Sequence, residues 1–380
     1  MSRPRVAYVA HSVDPRRGGM ELVSARLLER LAEHVELEVV AGDGLETLPA
    51  GVRRTHVWLP SHPSIARLLA FDAIGSIRLA GVRRRADLVH TCGAVAHVRA
   101  DLVSVHLSHA AVIEAQGGAR PPGRRGAAGA AAGVRRRLAA RLESWAMRPS
   151  RARCVAAVSR ADAAELSERY PALRVEVVEN GVDLERFGNE RRAPRPAAVP
   201  LRVVVVAGDF ERKRVALAIR AVARTTRCTL RVVGAGDLGT MRRLAASLGA
   251  AGRIQLVGHV PDVAAELFDA DVVLSCSAHE SFGLALVEGA AAGCAIVCTP
   301  TGVGPELVGA ESPGEGGASG GAVVGADVEE IAGVLEALDA DPAACHEQGR
   351  AAARRASRFT WDHMAASTLR LYDELLGVRS

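Results

Sequence analysis

A chain of 380 residues, 49% apolar and 24% charged, is long enough for two domains with separate cores and too apolar to be disordered. No apolar run approaches the ~18 residues of a membrane span, and the opening MSRPRVAYVAHS is too short in apolar residues for a secretory signal, so it reads as a first strand. Seven cysteines (92, 154, 228, 276, 294, 298 and 345) form no Cys-x-x-Cys pair. An odd, scattered set fits free thiols in a reducing cytosol better than disulfides or a zinc cage, so a cytoplasmic, metal-free protein is expected. The net charge of +5 conceals a bias: of 48 basic residues Lys213 is the single lysine, and the other 47 are arginine. Such a bias reflects GC-rich codons, and a lysine kept against it either sits there by chance or marks a place where a compact ammonium is wanted.

Along the first half, β-like and helix-like patterns alternate. Val6–Ala10 is an apolar run, Glu21–Leu31 has helical spacing behind Gly18-Gly19, and Val35–Val40 reads as the next strand. A strand near His56, a helix around Ile65–Leu79 and short strands at Leu88–His90, Leu102–His106, Val155–Val158 and Val175–Val178 follow. Alternation with mostly apolar strands implies a parallel sheet covered on both faces. The stretch 188–200 (GNERRAPRPAAVP) has linker composition, which divides the chain into a domain at 1–187 and another at 201–360. Beyond it the alternation restarts, with strands at Arg202–Ala207, Thr229–Val233, Ile254–Val257, Val272–Cys276 and Ala295–Cys298. Helices are expected at Val215–Ala223, Leu238–Leu248, Leu284–Ala292, Val328–Leu338 and Pro342–Arg355, and a loop at Ser312–Gly321. A last amphipathic helix, Trp361–Leu376, is expected to pack back on the first domain. Two doubly wound domains would place ligands at the carboxyl ends of their strands, facing a cleft.

Several spacings carry chemistry. Glu280 and Glu288 flank a strand-to-helix turn in which Phe282-Gly283-Leu284 opens the helix. Free amides and the positive dipole end there suit a diphosphate, and carboxylates suit vicinal hydroxyls. With equal weight, the two glutamates read as a solvated helix charge and a dipole partner. Arg212 and Lys213, in the loop after Arg202–Ala207, could neutralise charge on a departing phosphate. The run Gly234-Ala235-Gly236-Asp237-Leu238-Gly239 matches G-x-G-x-x-G. The following strand ends in Val257-Gly258-His259 without the acidic residue a dinucleotide site needs, which argues against a dehydrogenase. His106 closes an apolar strand, where a histidine is either structural or a ligand for sugar hydroxyls. Asp269 and Asp271 precede a strand, at the amino end of the sheet, and read as a solvated turn.

Taken together these segments resemble the retaining glycosyltransferases of family 4, which have the two-Rossmann GT-B fold. The resemblance runs across most of the chain: Gly18-Gly19, the Asn180-Gly181-Val182-Asp183 segment through Phe187, Val232–Gly236, Leu256–Val260 and, above all, the E-x7-E motif from Glu280 to Glu288. The fold class this implies is α/β, two doubly wound parallel-sheet domains with the donor site in the second. It implies that Glu280 binds the hydroxyls of the donor hexose and Glu288 the ribose, while the amides of Phe282, Gly283 and Leu284 hold the diphosphate opposite Arg212 and Lys213. Gly208 would begin that cationic loop, Gly258, His259 and Val260 would meet the base, His106 the transferred sugar, and Gly18 and Gly19 would line a phosphate or acceptor-side loop. Many members read Gly-Arg where this chain has Gly208-Asp209, and glycine where it has Arg214. The Asp-Phe-x-Arg-Lys order resembles the variant in lipopolysaccharide-core glucosyltransferases.

The activity implied is transfer of a hexose from a nucleotide-diphosphate sugar (UDP-, GDP- or ADP-linked) to a hydroxyl acceptor, with no cofactor, no metal and no nucleic-acid partner. The acceptor class would be a glycan, glycolipid or cell-envelope precursor. The Arg-, Ala- and Gly-rich stretch 119–153, with Arg135-Arg136-Arg137, fits either a basic segment resting on the anionic inner face of a membrane, suited to a lipid-linked acceptor, or a solvated loop. A GT-B-fold nucleotide-sugar epimerase and a non-catalytic nucleotide-sugar-binding protein stand as the other readings.

Overall fold

The computed structural model describes residues 3–60, 64–94, 98–118, 126–188, 193–309 and 318–377. The chain divides into two compact units, Met1–Gly181 with Trp361–Ser380, and Val182–Thr360. Strands of the first unit are β1 (Arg5–Ala10), β2 (Glu36–Ala41), β3 (Arg53–His56), β4 (Leu88–Cys92), β5 (Ala100–Val105), β6 (Ala152–Ala157) and β7 (Val175–Val177). Its helices are α1 (Gly19–Leu31), α2 (Ser64–Arg83), α3 (His109–Ala115), α4 (Gly126–Ala146) and α5 (Arg160–Arg169). The sheet is parallel throughout, in the order β3-β2-β1-β4-β5-β6-β7. All five positions of β4 and all six of β5 are buried, as a strand covered on both faces requires.

The second unit begins with α6 (Leu184–Phe187) and contains β8 (Arg202–Val206), α7 (Val215–Arg224), β9 (Thr229–Val233), α8 (Leu238–Ser247), β10 (Ile254–Gly258), α9 (Ala264–Asp269) and β11 (Val272–Ser275). It continues through α10 (Leu284–Ala291), β12 (Ala295–Cys298), α11 (Gly304–Val308), β13 (Gly321–Val323), α12 (Val328–Ala340) and α13 (Pro342–Ala356). Its parallel sheet has the order β10-β9-β8-β11-β12-β13. The core collects Val203, Val205, Leu230, Val232, Val272, Leu274 and Val297 from the strands with Ile219, Val222, Ile331 and Leu335 from the helices. Fully buried side chains of this kind contribute roughly 1.5–3 kcal/mol each. In both units the strand order reverses beside the first strand, at β1/β4 and at β8/β11. Loops leaving the carboxyl ends of those strands diverge there and open a crevice in each unit.

The joint between units differs from the composition-based one. The second unit starts at Val182, whose amide donates to the Phe359 carbonyl at 2.9 Å. Residues 193–200, proline-rich and read as linker, belong to that unit because Arg195 is buried, its guanidinium 3.3 Å from Asp339 and 3.6 Å from Asp271. Residues 189–192 of the same stretch, and 312–317 of the expected loop at Ser312–Gly321, lie outside the described residues. Gly321 itself opens β13, a three-residue strand too short for periodicity to reveal. The Asp269/Asp271 pair is not a solvated turn: Asp271 is buried and accepts from the Arg202 amide at 3.0 Å and from its guanidinium.

α14 (Trp361–Leu376) returns to the first unit, where Tyr372 Oη lies 2.7 Å from Nδ1 of the buried His90, whose Nε2 is 2.8 Å from Ser104 Oγ. Burial lowers His90 to about 3, so the ring is neutral and the two hydroxyls satisfy one donor and one acceptor nitrogen. Tyr372→Phe leaves that nitrogen buried without its partner and is expected to cost about 1–3 kcal/mol in urea denaturation. Because the folded value lies below the ordinary 6.5, the contribution of His90 is complete above pH 6.5. It is then lost as pH falls toward about 3, by up to about 1.4 kcal/mol per pH unit. All seven cysteines are free and buried. No helix among the described residues is long and apolar enough to cross a membrane.

Candidate active site

The crevice of the second unit is built by the loops that follow β8 and β11. The first, 207–214, is shaped by Asp209. Its carboxylate accepts from the amides of Glu211 and Arg212, both at 3.1 Å, and its carbonyl from Lys213 at 3.0 Å. This gives a physical role to the aspartate that departs from the usual Gly-Arg: it folds the turn that presents the two cations side by side. The loops are joined by the Ala278 amide donating to the Arg212 carbonyl at 2.9 Å and by Arg212 Nη1 donating to the His279 carbonyl at 3.0 Å.

At the centre stands Glu280. Its Oε2 takes the Lys213 ammonium in a direct ion pair and lies 3.2 Å from Arg212 Nη1. Ser277 Oγ approaches the same oxygen at 3.4 Å. Burial pushes the Glu280 carboxyl up, but Lys213 and Arg212 together outweigh it and bring it down to about 2. Two cations against one carboxylate leave the cluster with a surplus positive charge. Within a hydrogen bond of them runs the start of α10, where the Phe282, Gly283 and Leu284 amides donate to no backbone carbonyl among the described residues. Gly283 caps that helix at φ 97°, a left-handed conformation in which a side chain is strained. Phe282 is buried and packs edge-on against Phe359 with ring centroids 5.7 Å apart, which anchors the helix start. From behind, the loop after β12 supports the turn: the Val303 amide donates to the Phe282 carbonyl at 2.8 Å, and Thr299 Oγ1 to that of Ser277 at 2.8 Å.

Glu288 lies inside α10 and behaves oppositely to Glu280. Burial raises its carboxyl to about 7, with Arg186 drawing it down and Asp262 pushing it up, while those two pair with each other at 2.6 Å. One cation shared with an aspartate does not offset its desolvation. Gly208 is exposed at the mouth of the cationic loop, and Gly258, His259 and Val260 form the turn at the end of β10.

The G-x-G pattern serves packing. A Cβ at Gly234 would stand 2.0 Å from the Ala207 carbonyl oxygen, and one at Gly236 2.3 Å from the Phe210 ring. Both contacts lie against the loop that carries Arg212 and Lys213, so the glycines let β9 and the following turn close on it.

In the second unit the structure thus brings together Glu280, Arg212, Lys213, Phe282, Gly283 and Leu284. His106, Gly18 and Gly19 belong to the first unit. His106 follows β5; burial lowers it to about 4, and its Nδ1 is buried without a hydrogen-bond partner. Gly18 and Gly19 are exposed where the β1 loop enters α1. Sequence reasoning missed Glu143, which accepts from Ser108 Oγ at 2.8 Å and the His109 amide at 2.5 Å and so holds the start of α3 just beyond His106. It also missed Ser277 and Thr299, for which no spacing gives a signal. No group of three or more His, Cys, Asp or Glu with metal-binding geometry occurs among the described residues.

Comparison with known proteins agrees with this architecture. Residues 17–186 match the family model described as Glycosyltransferase Family 4, and residues 201–341 that described as Glycosyl transferases group 1. A D-inositol 3-phosphate glycosyltransferase of Mycolicibacterium paratuberculosis is 34% identical over 214 residues, 52% of this chain and 47% of that one. The chain spans about half the length of the curated relatives it matches. Among solved structures, WaaG, a glycosyltransferase involved in lipopolysaccharide biosynthesis, superposes with a TM-score of 0.75 at 18% identity, covering 98% of this chain and all of its own. HepE of Anabaena, in complex with UDP-glucose, gives 0.68 at 17% identity, covering 97% and 99%. Two parallel α/β units, a cationic loop opposite E-x7-E at the second switch point, and family models matching both halves lead to one assignment: the chain belongs to glycosyltransferase family 4, with the GT-B fold.

Proposed function

We propose that the chain transfers a hexose from a nucleotide-diphosphate sugar to a hydroxyl acceptor, with retention of anomeric configuration and without a metal. The observation that carries this reading is the Lys213–Glu280–Arg212 cluster beside the open amides of α10. In the transfer, the acceptor oxygen bonds to the anomeric carbon as the bond from that carbon to the diphosphate breaks. The acceptor proton passes to the departing diphosphate oxygen. Charge grows on the diphosphate during this step, and Lys213, Arg212 and the amides of Phe282, Gly283 and Leu284 meet it with preorganised donors. Glu280, ionised at any physiological pH, accepts from hexose hydroxyls and Glu288 from the ribose. Gly258, His259 and Val260 face the base, and Gly208 leaves the mouth of the loop open. The same reading gives His106, neutral and with an unused ring nitrogen, a sugar hydroxyl to bind, and Gly18 and Gly19 an acceptor-side phosphate loop.

A thermal-shift panel of UDP-, GDP- and ADP-sugars tests the donor class, and no shift with any of them sinks the reading. Release of nucleoside diphosphate from the stabilising donor, slow without acceptor, separates a transferase from a binding protein. Recovery of an epimerised donor would instead indicate an epimerase.

We assign the acceptor to glycans, glycolipids or cell-envelope precursors, reached by a cytoplasmic enzyme at the inner membrane face. The support is α4, which carries Arg135, Arg136 and Arg137 beside the exposed Val134. Co-sedimentation with anionic vesicles at low salt, abolished by raising the salt, is expected; no binding at low salt would retire the membrane contact.

A further inference from the structure

Arg214 stands where many family members have glycine, and its backbone retains the glycine conformation. Its φ of 47° and ψ of 46° make it the single non-glycine residue with positive φ among the described residues. An L side chain in this region costs roughly 1–2 kcal/mol, and such strain persists where the surroundings enforce it and function uses it. The enforcement is visible: the Arg214 amide donates to the Glu211 carbonyl at 3.0 Å, and its own carbonyl accepts from Leu217 at 2.9 Å at the start of α7. Asparagine or glycine would occupy this position more easily, so the backbone does not explain the arginine.

The side chain supplies a second observation. Arg214 is half-buried, yet its guanidinium has no carboxylate or other hydrogen-bonding partner among the described residues. Its charge acts on the buried Cys276, the residue between β11 and the loop that carries Glu280. A partly desolvated cation without a counter-ion, adjoining two cations that already share one carboxylate, leaves the loop with an anion still to bind. We propose that Arg214 is a third phosphate-binding cation of this site and sets its preference for a nucleoside diphosphate over less phosphorylated nucleotides. The proposal rests on the donor reading above and adds a residue to it that the family pattern leaves as glycine.

The test separates strain from charge. Arg214→Gly is expected to raise the melting temperature by about 2–4 °C, since glycine adopts this backbone freely. The same variant is expected to bind UDP, GDP or ADP, whichever the wild type binds, about 5–10-fold more weakly, with a shallower dependence on salt. Loss should be smaller for the matching monophosphate and absent for the nucleoside, and Arg214→Lys should recover part of the diphosphate affinity. A more stable Arg214→Gly protein that binds the diphosphate as tightly as wild type overturns the proposal. So does an equal loss for diphosphate and nucleoside, which would mean a disturbed loop. If the wild-type chain binds none of the three diphosphates, the donor reading fails first, a result distinguishable from either.

Discussion

Lys213→Ala is expected to lower kcat about 100- to 1000-fold while changing donor affinity much less, the size seen when one preorganised donor to a developing anion is removed. The reason lies in the timing of charge. In the ground state a diphosphate is held by several groups at once, including the amides of Phe282, Gly283 and Leu284 and the Arg212 guanidinium. Charge on its departing oxygen grows only as the glycosidic bond breaks, so an ammonium aimed there contributes most in the transition state. Lys213 is also the direct partner of Glu280. Its removal leaves that buried carboxylate with Arg212 alone, at 3.2 Å, and lets burial raise it from about 2. Lys213→Arg should restore only part of the turnover, because a planar fork cannot occupy the position of a compact ammonium. Steady-state kinetics with thermal shift by the donor on the same variants checks this, and near-normal turnover in Lys213→Ala would remove the residue from the mechanism.

Donor affinity is expected to fall about tenfold between pH 8 and pH 6, with the break near 7. Glu288 is raised to about 7 by burial, so above that pH it is a carboxylate able to accept two ribose hydroxyls. Below it the group is a neutral acid with half that capacity, and each further pH unit removes up to a factor of ten from the competent form. Its contribution to the unliganded fold runs the other way. Because the folded value lies above the ordinary 4.5, that contribution is complete below pH 4.5 and is lost as pH rises through 7. Isothermal titration of the donor nucleotide across this range, with Glu288→Gln as control, reads the effect. The variant should bind more weakly at pH 8 and show a flat profile, and an unaltered slope in Glu288→Gln would transfer the pH dependence to another group.

Much of the architecture was legible in the chain. Apolar runs such as Val203–Val206 and helical spacings such as Val215–Ala223 report burial on two faces or one, which is a local property. Their alternation determined two parallel sheets, and the positions of Arg212, Lys213, Glu280 and Glu288 just beyond strands determined which loops carry the chemistry. The G-x-G run was ambiguous for a physical reason: glycine marks close approach, and only the fold shows that what approaches Gly234 and Gly236 is Ala207 and Phe210 rather than a dinucleotide. Composition misplaced the joint between units because proline and arginine in 188–200 look solvated, whereas Arg195 is buried against Asp271 and Asp339. The E-x7-E spacing opened the case with two identical side chains. Tertiary structure alone decided that one is held near 2 and the other near 7, since Glu280 meets cations 67 and 68 residues away and Glu288 meets mostly burial. Periodicity encodes which face of an element is covered. The charge on a carboxyl depends on which distant side chains the covering brings to it, and that is settled only when the sheets have formed.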